Sequence, residues 1–161
     1  MYSAHMNELR PDEIFDLLGQ VQSHATRAFS GLGLIFYSSL DDLPIVALGD
    51  QSLFPRTLPV ANRQALASLL AEISTFSSPW HDGFHLIDAN SFALTHISQF
   101  LSPPLDSLGR SNSQGLPVGA RHMAAMAGSR IASVSYTALL SNKGVPAVFQ
   151  RGRSLDGEVQ T

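Results

Sequence analysis

The chain has 161 residues, 44% of them hydrophobic and 14% charged, with a formal net charge of −3. This length predicts one domain with a substantial core, and the low charge argues against disorder. One lysine and nine arginines form no broad basic surface, so we expect no nucleic-acid partner. Cysteine is absent, which excludes disulfides, thiolate metal sites and cysteine nucleophiles.

Targeting signals and membrane spans are not expected from the sequence. No apolar run reaches the roughly 18 to 20 residues that a spanning helix needs. The N-terminal residues lack the basic and apolar regions of a secretory signal. Together with the absence of cysteine, this pattern predicts a soluble, cytoplasmic protein.

The N-terminal residues predict a helix followed by two strands. Proline and two acids open a helix over residues 11–29, which carries one apolar face. Short apolar runs at 34–37 and 45–48 predict strands. Asp41-Asp42 has turn chemistry, so we expect these two strands to form a hairpin.

A second helix and a second hairpin are predicted next. Residues 49–59 contain two prolines and indicate a loop, after which Asn62 is suited to cap a helix that ends near Thr75. Apolar runs at 86–87 and 92–97 flank Asp-Ala-Asn, which is suitable turn chemistry for a hairpin.

The C-terminal third predicts one helix between a long connection and two strands. Residues 98–118 are rich in proline, serine and glycine, and connections of this length are often functional or disordered. Alanines favour a helix over 119–128, and strands are expected at 134–140 and 145–149. We expect 152–161 to be a loose end.

The first polar cluster, at residues 79–85, places an acid, a glycine and two histidines at the entrance of a predicted strand. Asp82-Gly83 on its own is most often a turn. His81, His85 and His96 are candidates for a metal site, although histidines that only form hydrogen bonds are the more common outcome. The composition would allow a hydrolase with a Ser/His/Asp catalytic triad, but the chain has no nucleophile-elbow motif.

The second polar cluster lies at the predicted start of a helix. Gly119 precedes Arg121 and His122, a basic pair at a position where the helix dipole alone would favour acids. Free backbone N–H groups, the dipole and an arginine together favour an anion. We therefore predict an anion-binding site at this helix N-terminus.

Three segments in this order resemble the motifs of the diadenylate cyclase (DAC) domain, whose members join two ATP molecules into cyclic di-AMP. The family motif Asp-Gly-Ala after Pro-x-His reads Pro-Trp-His-Asp-Gly-Phe at residues 79–84. The motif Gly-Thr-Arg-His-Arg-x-Ala reads Gly-Ala-Arg-His-Met-Ala-Ala at 119–125. Ser141-Asn142 stands where the family has Ser-Glu at the end of a strand. The resemblance covers about residues 60–150.

The resemblance implies an α/β (α+β) fold, with a mixed, largely antiparallel sheet flanked by helices on both faces. It implies that Asp82 is the general base or a metal-linked carboxylate for Mg²⁺ or Mn²⁺, near a ribose 3′-hydroxyl. It also implies that Arg121 and His122 hold phosphates. The further nucleotide-binding residues implied by the motif positions are Gly83, Phe84, Gly119, Ser141 and Asn142. The family's reaction pairs two active sites, so an active enzyme would be a homo-oligomer.

Four departures bear on activity. Phe84 replaces the motif alanine and could stack on a base or fill the space that a nucleotide needs. Ala120 lacks the motif hydroxyl, Met123 lacks the second cation, and Asn142 lacks the carboxylate. We therefore expect a sensory domain that binds ATP or a cyclic dinucleotide. An active cyclase is the alternative, and a protein-interaction domain without a ligand is the third hypothesis.

Overall fold

The apolar runs of the sequence form the strands of one sheet. The structure, a computed structural model, describes residues 8–104, 106 and 118–155. The described part contains α1 (Pro11–His24), α2 (Arg63–Ile73), α3 (Ala120–Gly128) and a short 3-10 helix (Gln51–Leu53). Its strands are β1 (Leu32–Tyr37), β2 (Ile45–Ala47), β3 (Phe84–Asp88), β4 (Ala93–Leu101), β5 (Val134–Leu140), β6 (Pro146–Gln150) and β7 (Arg153–Leu155).

The sheet is mixed and mostly antiparallel, as predicted. Its order is β2-β4-β3-β1-β5-β6-β7, in which β1 and β3 are parallel and every other neighbouring pair is antiparallel. The predicted hairpin between β1 and β2 is wrong. β3 and β5 flank β1 on its two sides, so β2 pairs instead with β4, with Ile45 opposite Leu101 at the edge of the sheet. The predicted hairpin of β3 and β4 is confirmed.

Strand β1 explains how helices come to cover both faces of the sheet. All six of its residues are buried. Leu34 and Phe36 pack in the core that contains α1 and α2, whereas Ile35 packs in a second core with Ala125 of α3. Successive side chains of a strand point to opposite faces, so a continuous apolar run is what a strand covered on both sides requires.

Several element boundaries differ from those predicted. Helix α1 ends at His24 and not near residue 29, because Ala25 takes an extended conformation (φ −68°, ψ 138°). Strand β4 continues to Leu101, where we expected a connection to have begun. Helix α2 starts as predicted, since the Asn62 side chain accepts a hydrogen bond from Ala65 N at 3.0 Å.

The C-terminal residues are more ordered than expected as far as they are described. Arg153–Leu155 form β7, which pairs with β6 across a turn, so the prediction of a loose end from residue 152 is wrong for this part. The rest of that predicted end, 156–161, lies outside the described residues, as do 105 and 107–117 of the predicted connection. No helix in the described ranges is both long enough and apolar enough to cross a bilayer.

Candidate functional site

Two of the three matched segments meet at one edge of the sheet because of the strand directions, and the third, at the start of α3, brings Arg121 to the same place. β1 and β3 are parallel and β5 is antiparallel to β1, so the starts of β1 and β3 lie beside the end of β5. Gly31 precedes β1, Asp82-Gly83 precedes β3, and Ser141-Asn142 follows β5. We call this region, together with Arg121, the motif edge.

Asp82 is the carboxylate of the motif edge, and it is accessible. Its side chain is 73% exposed, and Oδ1 lies 3.3 Å from Nε2 of His81. The other ring nitrogen of His81, Nδ1, lies 2.7 Å from the Ser78 carbonyl oxygen and must donate to it, because a carbonyl oxygen only accepts. In a neutral ring, Nε2 would then turn its lone pair towards the Asp82 carboxylate. A proton or a metal cation between the two atoms would satisfy both.

Gly83 places Asp82 by making the turn into β3. It has φ +78°, a conformation that glycine adopts without steric cost. An added Cβ would also lie 2.6 Å from the Gln99 carbonyl oxygen of β4. Gly83 therefore lets β3 start in close contact with β4. This close contact is what Gly83 contributes to the motif edge.

Phe84 points into the core. The side chain is buried, with 4% of the residue exposed, and it belongs to the core on the α3 side of the sheet. Its ring lies against Gly33 of β1, where an added Cβ would stand 2.9 Å from Cδ1 of Phe84. The phenyl ring that replaces the motif alanine is thus accommodated inside the protein, opposite a residue without a side chain.

Arg121 connects the three segments. It is the second residue of α3, whose N-cap is Gly119. Its Nη2 donates to the His81 carbonyl oxygen at 3.5 Å, a long contact. Its Nη1 lies 3.4 Å from the position of an added Cβ at Gly31, and Asn142 N lies 3.6 Å from the same position. Gly31 (φ +100°) therefore leaves the space in which the guanidinium sits.

The electrostatics of Arg121 suit the binding of an anion. Burial lowers the pKa of the guanidinium, and the Asp82 carboxylate opposes this shift. Within the described residues no carboxylate lies within 4 Å of Arg121 as an ion-pair partner. A partly desolvated cation without a close counter-ion gains the most from a bound oxyanion.

His122 lies apart from this cluster. Its ring packs edge-on against Phe149 of β6, with a centroid distance of 4.9 Å and an interplanar angle of 82°. Adjacent helical residues differ by about 100° in direction, so Arg121 and His122 cannot both face the motif edge in the same way. Of the predicted basic pair, Arg121 therefore lies at the motif edge, whereas His122 packs against β6.

Ser141 and Asn142 contribute differently to the turn after β5. Ser141 Oγ accepts hydrogen bonds from Lys143 N at 3.2 Å and from Val145 N at 3.0 Å, which closes the turn into β6. Asn142 is exposed, and its backbone N lies beside Gly31 and Arg121. Ser141 shapes this corner, whereas the Asn142 side chain is available at its surface.

The three histidines considered as a metal site do not come together as one. His85 is buried, and its Nδ1 accepts from Ser98 N at 3.1 Å. Burial, together with the nearby Arg121 charge, lowers the pKa of His85 to about 3. His96 lies opposite Leu86 and contacts Thr95 Oγ1 through Nδ1 at 2.8 Å. No group of three or more His, Asp or Glu side chains in the described part could hold a metal ion.

Sequence reasoning missed two contributors to the motif edge. Gly31 provides the space for Arg121, although it is not among the site residues predicted from the sequence. The pairing of His81 Nε2 with Asp82 was missed because it depends on the Ser78 carbonyl, which fixes the ring. A His-Asp pair next to a glycine was the available signal, and it did not indicate which ring nitrogen is free.

Comparison with known proteins identifies the fold. No family model matches the sequence, and no curated protein matches it. The structure is similar to a double mutant of DacA from Staphylococcus aureus, a diadenylate cyclase, with a TM-score of 0.58 and 20% identity over 89% of this chain and 87% of that one. It is also similar to a hypothetical membrane spanning protein from Bacillus cereus, with a TM-score of 0.59 and 18% identity.

The second match covers 91% of this chain, which spans only 63% of the length of the Bacillus cereus protein. Identities of 18% and 20% relate the chains by fold. The protein therefore has a DAC-like fold, as the three motifs led us to expect.

Proposed function

We propose that the protein binds an adenine nucleotide, either ATP or a cyclic dinucleotide, at the motif edge and acts as a sensory domain. The observation that carries the proposal is the position of Arg121. Its guanidinium is partly desolvated and has no ion-pair partner within the described residues, and it lies where all three matched segments converge. The likeness in fold to a diadenylate cyclase supports the choice of ligand.

The residues at this edge divide into ligand contacts and supports. Arg121 is expected to bind phosphate oxygens, with Asn142 available beside it. Gly119, as the N-cap of α3, leaves free backbone N–H groups in the first turn for the same phosphates. Gly83, Phe84 and Ser141 are expected to shape the site and not to contact the ligand. Gly83 forms the turn before β3, Phe84 forms the floor, and Ser141 forms the corner after β5. His122 supports α3 from its contact with Phe149.

The donor set fits a divalent cation that arrives with the nucleotide. Asp82 Oδ1 and His81 Nε2 offer two donors, and the Ser78 carbonyl holds the other ring nitrogen as metal-bound histidines usually require. Two donors alone are few, but Mg²⁺ is often bound by one or two protein groups plus substrate phosphates. When bound, such an ion would neutralise phosphate charge.

Cyclase activity is the second candidate, and one observation favours it. The Asp82 carboxylate is 73% exposed at the edge where the phosphates are proposed to bind. A carboxylate in that position could accept the proton of a ribose 3′-hydroxyl as its oxygen attacks the α-phosphate of a second nucleotide and pyrophosphate leaves. The second nucleotide, whose α-phosphate is attacked, would be held by a second copy of the chain, so activity would require a homo-oligomer.

One experiment separates the candidates. The protein is incubated with ATP and Mg²⁺ or Mn²⁺, and in parallel with cyclic di-AMP, while thermal stability and product are both measured. Binding raises the melting temperature, by an amount equivalent to about 2.7 kcal/mol at a hundredfold excess over Kd. We expect Arg121→Ala to lose this shift. Arg153→Ala removes the same charge from β7, the outermost strand of the sheet, and serves as the matched control.

The outcomes are distinct. A shift without product supports the sensory domain, and product that disappears in Asp82→Asn supports the cyclase. If millimolar ATP and cyclic di-AMP both leave the melting temperature of folded protein unchanged, the nucleotide proposal fails. That result would favour the third hypothesis, a domain that binds protein partners.

A further inference from the structure

A concave surface lies at the edge of the sheet opposite the motif edge. It is a cavity of about 680 Å³, lined by residues at the ends of β1, β3 and β6 and at the start of β5. The strand directions that bring the matched segments to one edge bring these ends to the other. Its volume is in the range of roughly 300 to 1,000 Å³ that small-molecule sites usually have. We call it the arginine cavity, after Arg130 and Arg151 in its wall.

The two arginines bring like charges to one cavity. Both are exposed, and within the described residues neither has a carboxylate partner within 4 Å. The Arg130 side chain lies directly over Gly152, in space that a Cβ at that position would occupy. Glu8 is the acidic residue of the lining, which therefore contains two arginines and one glutamate.

The turn that carries Arg151 is held in an uncommon conformation. Arg151 and Gly152 have φ values of +51° and +77° and connect β6 to β7 as a two-residue loop. Positive φ at both positions strongly favours Asn-Gly or Gly-Gly, and arginine adopts it at an energetic cost. An unfavourable conformation that is retained in a folded protein indicates a reason to keep that side chain there.

The end of α3 fixes this turn in place. Arg151 N donates to the Ser129 carbonyl oxygen at 3.0 Å, and Gly152 N donates to Ser129 Oγ at 2.9 Å. Ser129 is buried, so both bonds are shielded from water. The backbone of the turn that carries Arg151 is therefore held in place, so a ligand does not have to order this turn when it binds.

Neutral polar groups complete the wall. Tyr136 lines the cavity, and its hydroxyl donates to the Leu9 carbonyl oxygen over a long 3.4 Å. Burial raises the pKa of Tyr136 and a hydrogen bond with the Gln150 side chain lowers it, while the Glu8 charge raises it and the Arg151 charge lowers it, so both charges act on this hydroxyl. Ser135 and Asn90 add a hydroxyl and an amide to the same lining.

We propose that the arginine cavity binds a small oxyanion, the phosphoryl group of a phosphorylated metabolite, separately from the motif edge. Guanidinium groups bind phosphate or carboxylate oxygens through paired hydrogen bonds, and the Ser135 hydroxyl and the Asn90 amide can donate to the remaining oxygens. The shared chemistry is an oxyanion with several acceptor oxygens. Titrating phosphate and a carboxylate separately distinguishes which of the two kinds of oxyanion the cavity binds.

Site-resolved NMR on the whole chain tests the proposal. Inorganic phosphate and, separately, citrate are titrated at constant ionic strength, and the amide signals of Asn90, Ser129 and Gly152 are followed. We expect saturable shifts of these signals. Arg151→Asn is the key variant, because asparagine suits the turn and removes only the cation. We expect it to remain at least as stable as the wild type while affinity falls about tenfold or more.

Three further variants complete the test. Arg130→Gln is expected to weaken binding to a similar extent, whereas Arg153→Gln, in the same hairpin but outside the lining, should bind as the wild type does. Arg121→Ala should leave these shifts intact, which separates this site from the proposed nucleotide site. Unsaturable shifts, or full affinity in both Arg151→Asn and Arg130→Gln, would overturn the proposal. Saturation by citrate and not by phosphate would overturn the assignment of a phosphoryl group and identify a carboxylate ligand.

Discussion

The phenyl ring of Phe84 and the α-carbon of Gly33 are packed so closely that a Cβ on Gly33 would lie 2.9 Å from Phe84 Cδ1. The two residues stand on neighbouring parallel strands, β1 and β3. A small residue on one strand thus compensates for a large one on the other. This pair explains how an aromatic side chain beside Asp82 can be buried without displacing the turn that carries the carboxylate.

The first prediction is that Gly33 and Phe84 are energetically coupled. Gly33→Ala should destabilise the wild-type protein by about 1–3 kcal/mol through overpacking. Phe84→Ala should cost about 3–5 kcal/mol through the cavity that it leaves. In the Phe84→Ala background, Gly33→Ala should cost much less, because the ring is gone and the Gly83 carbonyl oxygen, 3.3 Å from the added Cβ, is the close neighbour that remains. Urea denaturation of the four proteins gives the coupling energy.

A matched control is available in α1. An added Cβ at Gly19 meets nothing within 4 Å, so Gly19→Ala should stabilise the protein by about 0.5–1 kcal/mol. If Gly33→Ala costs the same with and without the Phe84 ring, the compensation between the two residues is not real.

The second prediction concerns acid stability and His85. The pKa of His85 is about 3 in the folded protein, because of burial and the nearby Arg121 charge, against its ordinary value of 6.5. The unfolded chain therefore takes up this proton first as the pH falls. Stability should be fully present above pH 6.5 and should decrease by up to about 1.4 kcal/mol per pH unit from there towards pH 3. Burial of His96 lowers its pKa and adds in the same direction.

Unfolding free energies measured at several pH values between 7 and 4 test this prediction. His85→Gln should lower stability at neutral pH, since Ser98 N loses its acceptor, and should also flatten the acid dependence. His24→Gln removes an exposed histidine of α1 and is the matched control. Acid profiles of equal slope in the two variants would contradict the role given to His85.

The helix that carries Arg121 shows what the sequence could and could not predict. An alanine-rich run after Gly119 predicted α3 closely, and the basic pair marked its start as an anion site. Only Arg121 lies at the motif edge, because His122 turns towards Phe149. Which of two adjacent residues faces the sheet depends on how the helix docks, and residues far away in sequence decide that.

The error in strand pairing has a similar physical cause. Residues 34–37 and 45–48 were correctly predicted as extended, yet they do not pair. The turn signal at Asp41-Asp42 is local, whereas β1 pairs with β3, which follows a whole helix, and with β5, which lies still further along the chain. Local patterns indicate strands and tight hairpins well. They do not indicate a parallel pair formed across a long connection.

The third prediction separates the two residues after β5. Ser141→Ala should destabilise the protein by about 1 kcal/mol, since its Oγ accepts two backbone hydrogen bonds in the turn. Asn142→Ala should leave stability nearly unchanged because the side chain is exposed. If the proposed nucleotide site is correct, Asn142→Ala should weaken binding more than Ser141→Ala does, as measured by calorimetry. The reverse order of affinities would assign ligand binding to Ser141 instead.

The fourth prediction contrasts two buried hydroxyl groups. Thr137 Oγ1 donates to the Ala125 carbonyl oxygen at 2.6 Å and holds α3 on β5. Ser74 Oγ is also buried but has no hydrogen-bond partner within the described residues. Thr137→Val should therefore cost about 1 kcal/mol of unfolding free energy, whereas Ser74→Ala should be neutral or stabilising, because an unsatisfied buried hydroxyl costs about 1–3 kcal/mol.

Hydrogen exchange of the backbone amides shows which part of the protein is destabilised in each variant. In Thr137→Val, the amides of α3 should exchange faster relative to those of α1, because the bond that is removed joins α3 to the sheet. Ser74→Ala should leave this ratio unchanged, since Ser74 follows α2. Arg121 depends on the docking of α3, so the same loosening should lower nucleotide affinity at the proposed site. Faster exchange spread evenly over α1 and α3 would show that Thr137 stabilises the whole domain and not the helix that presents Arg121.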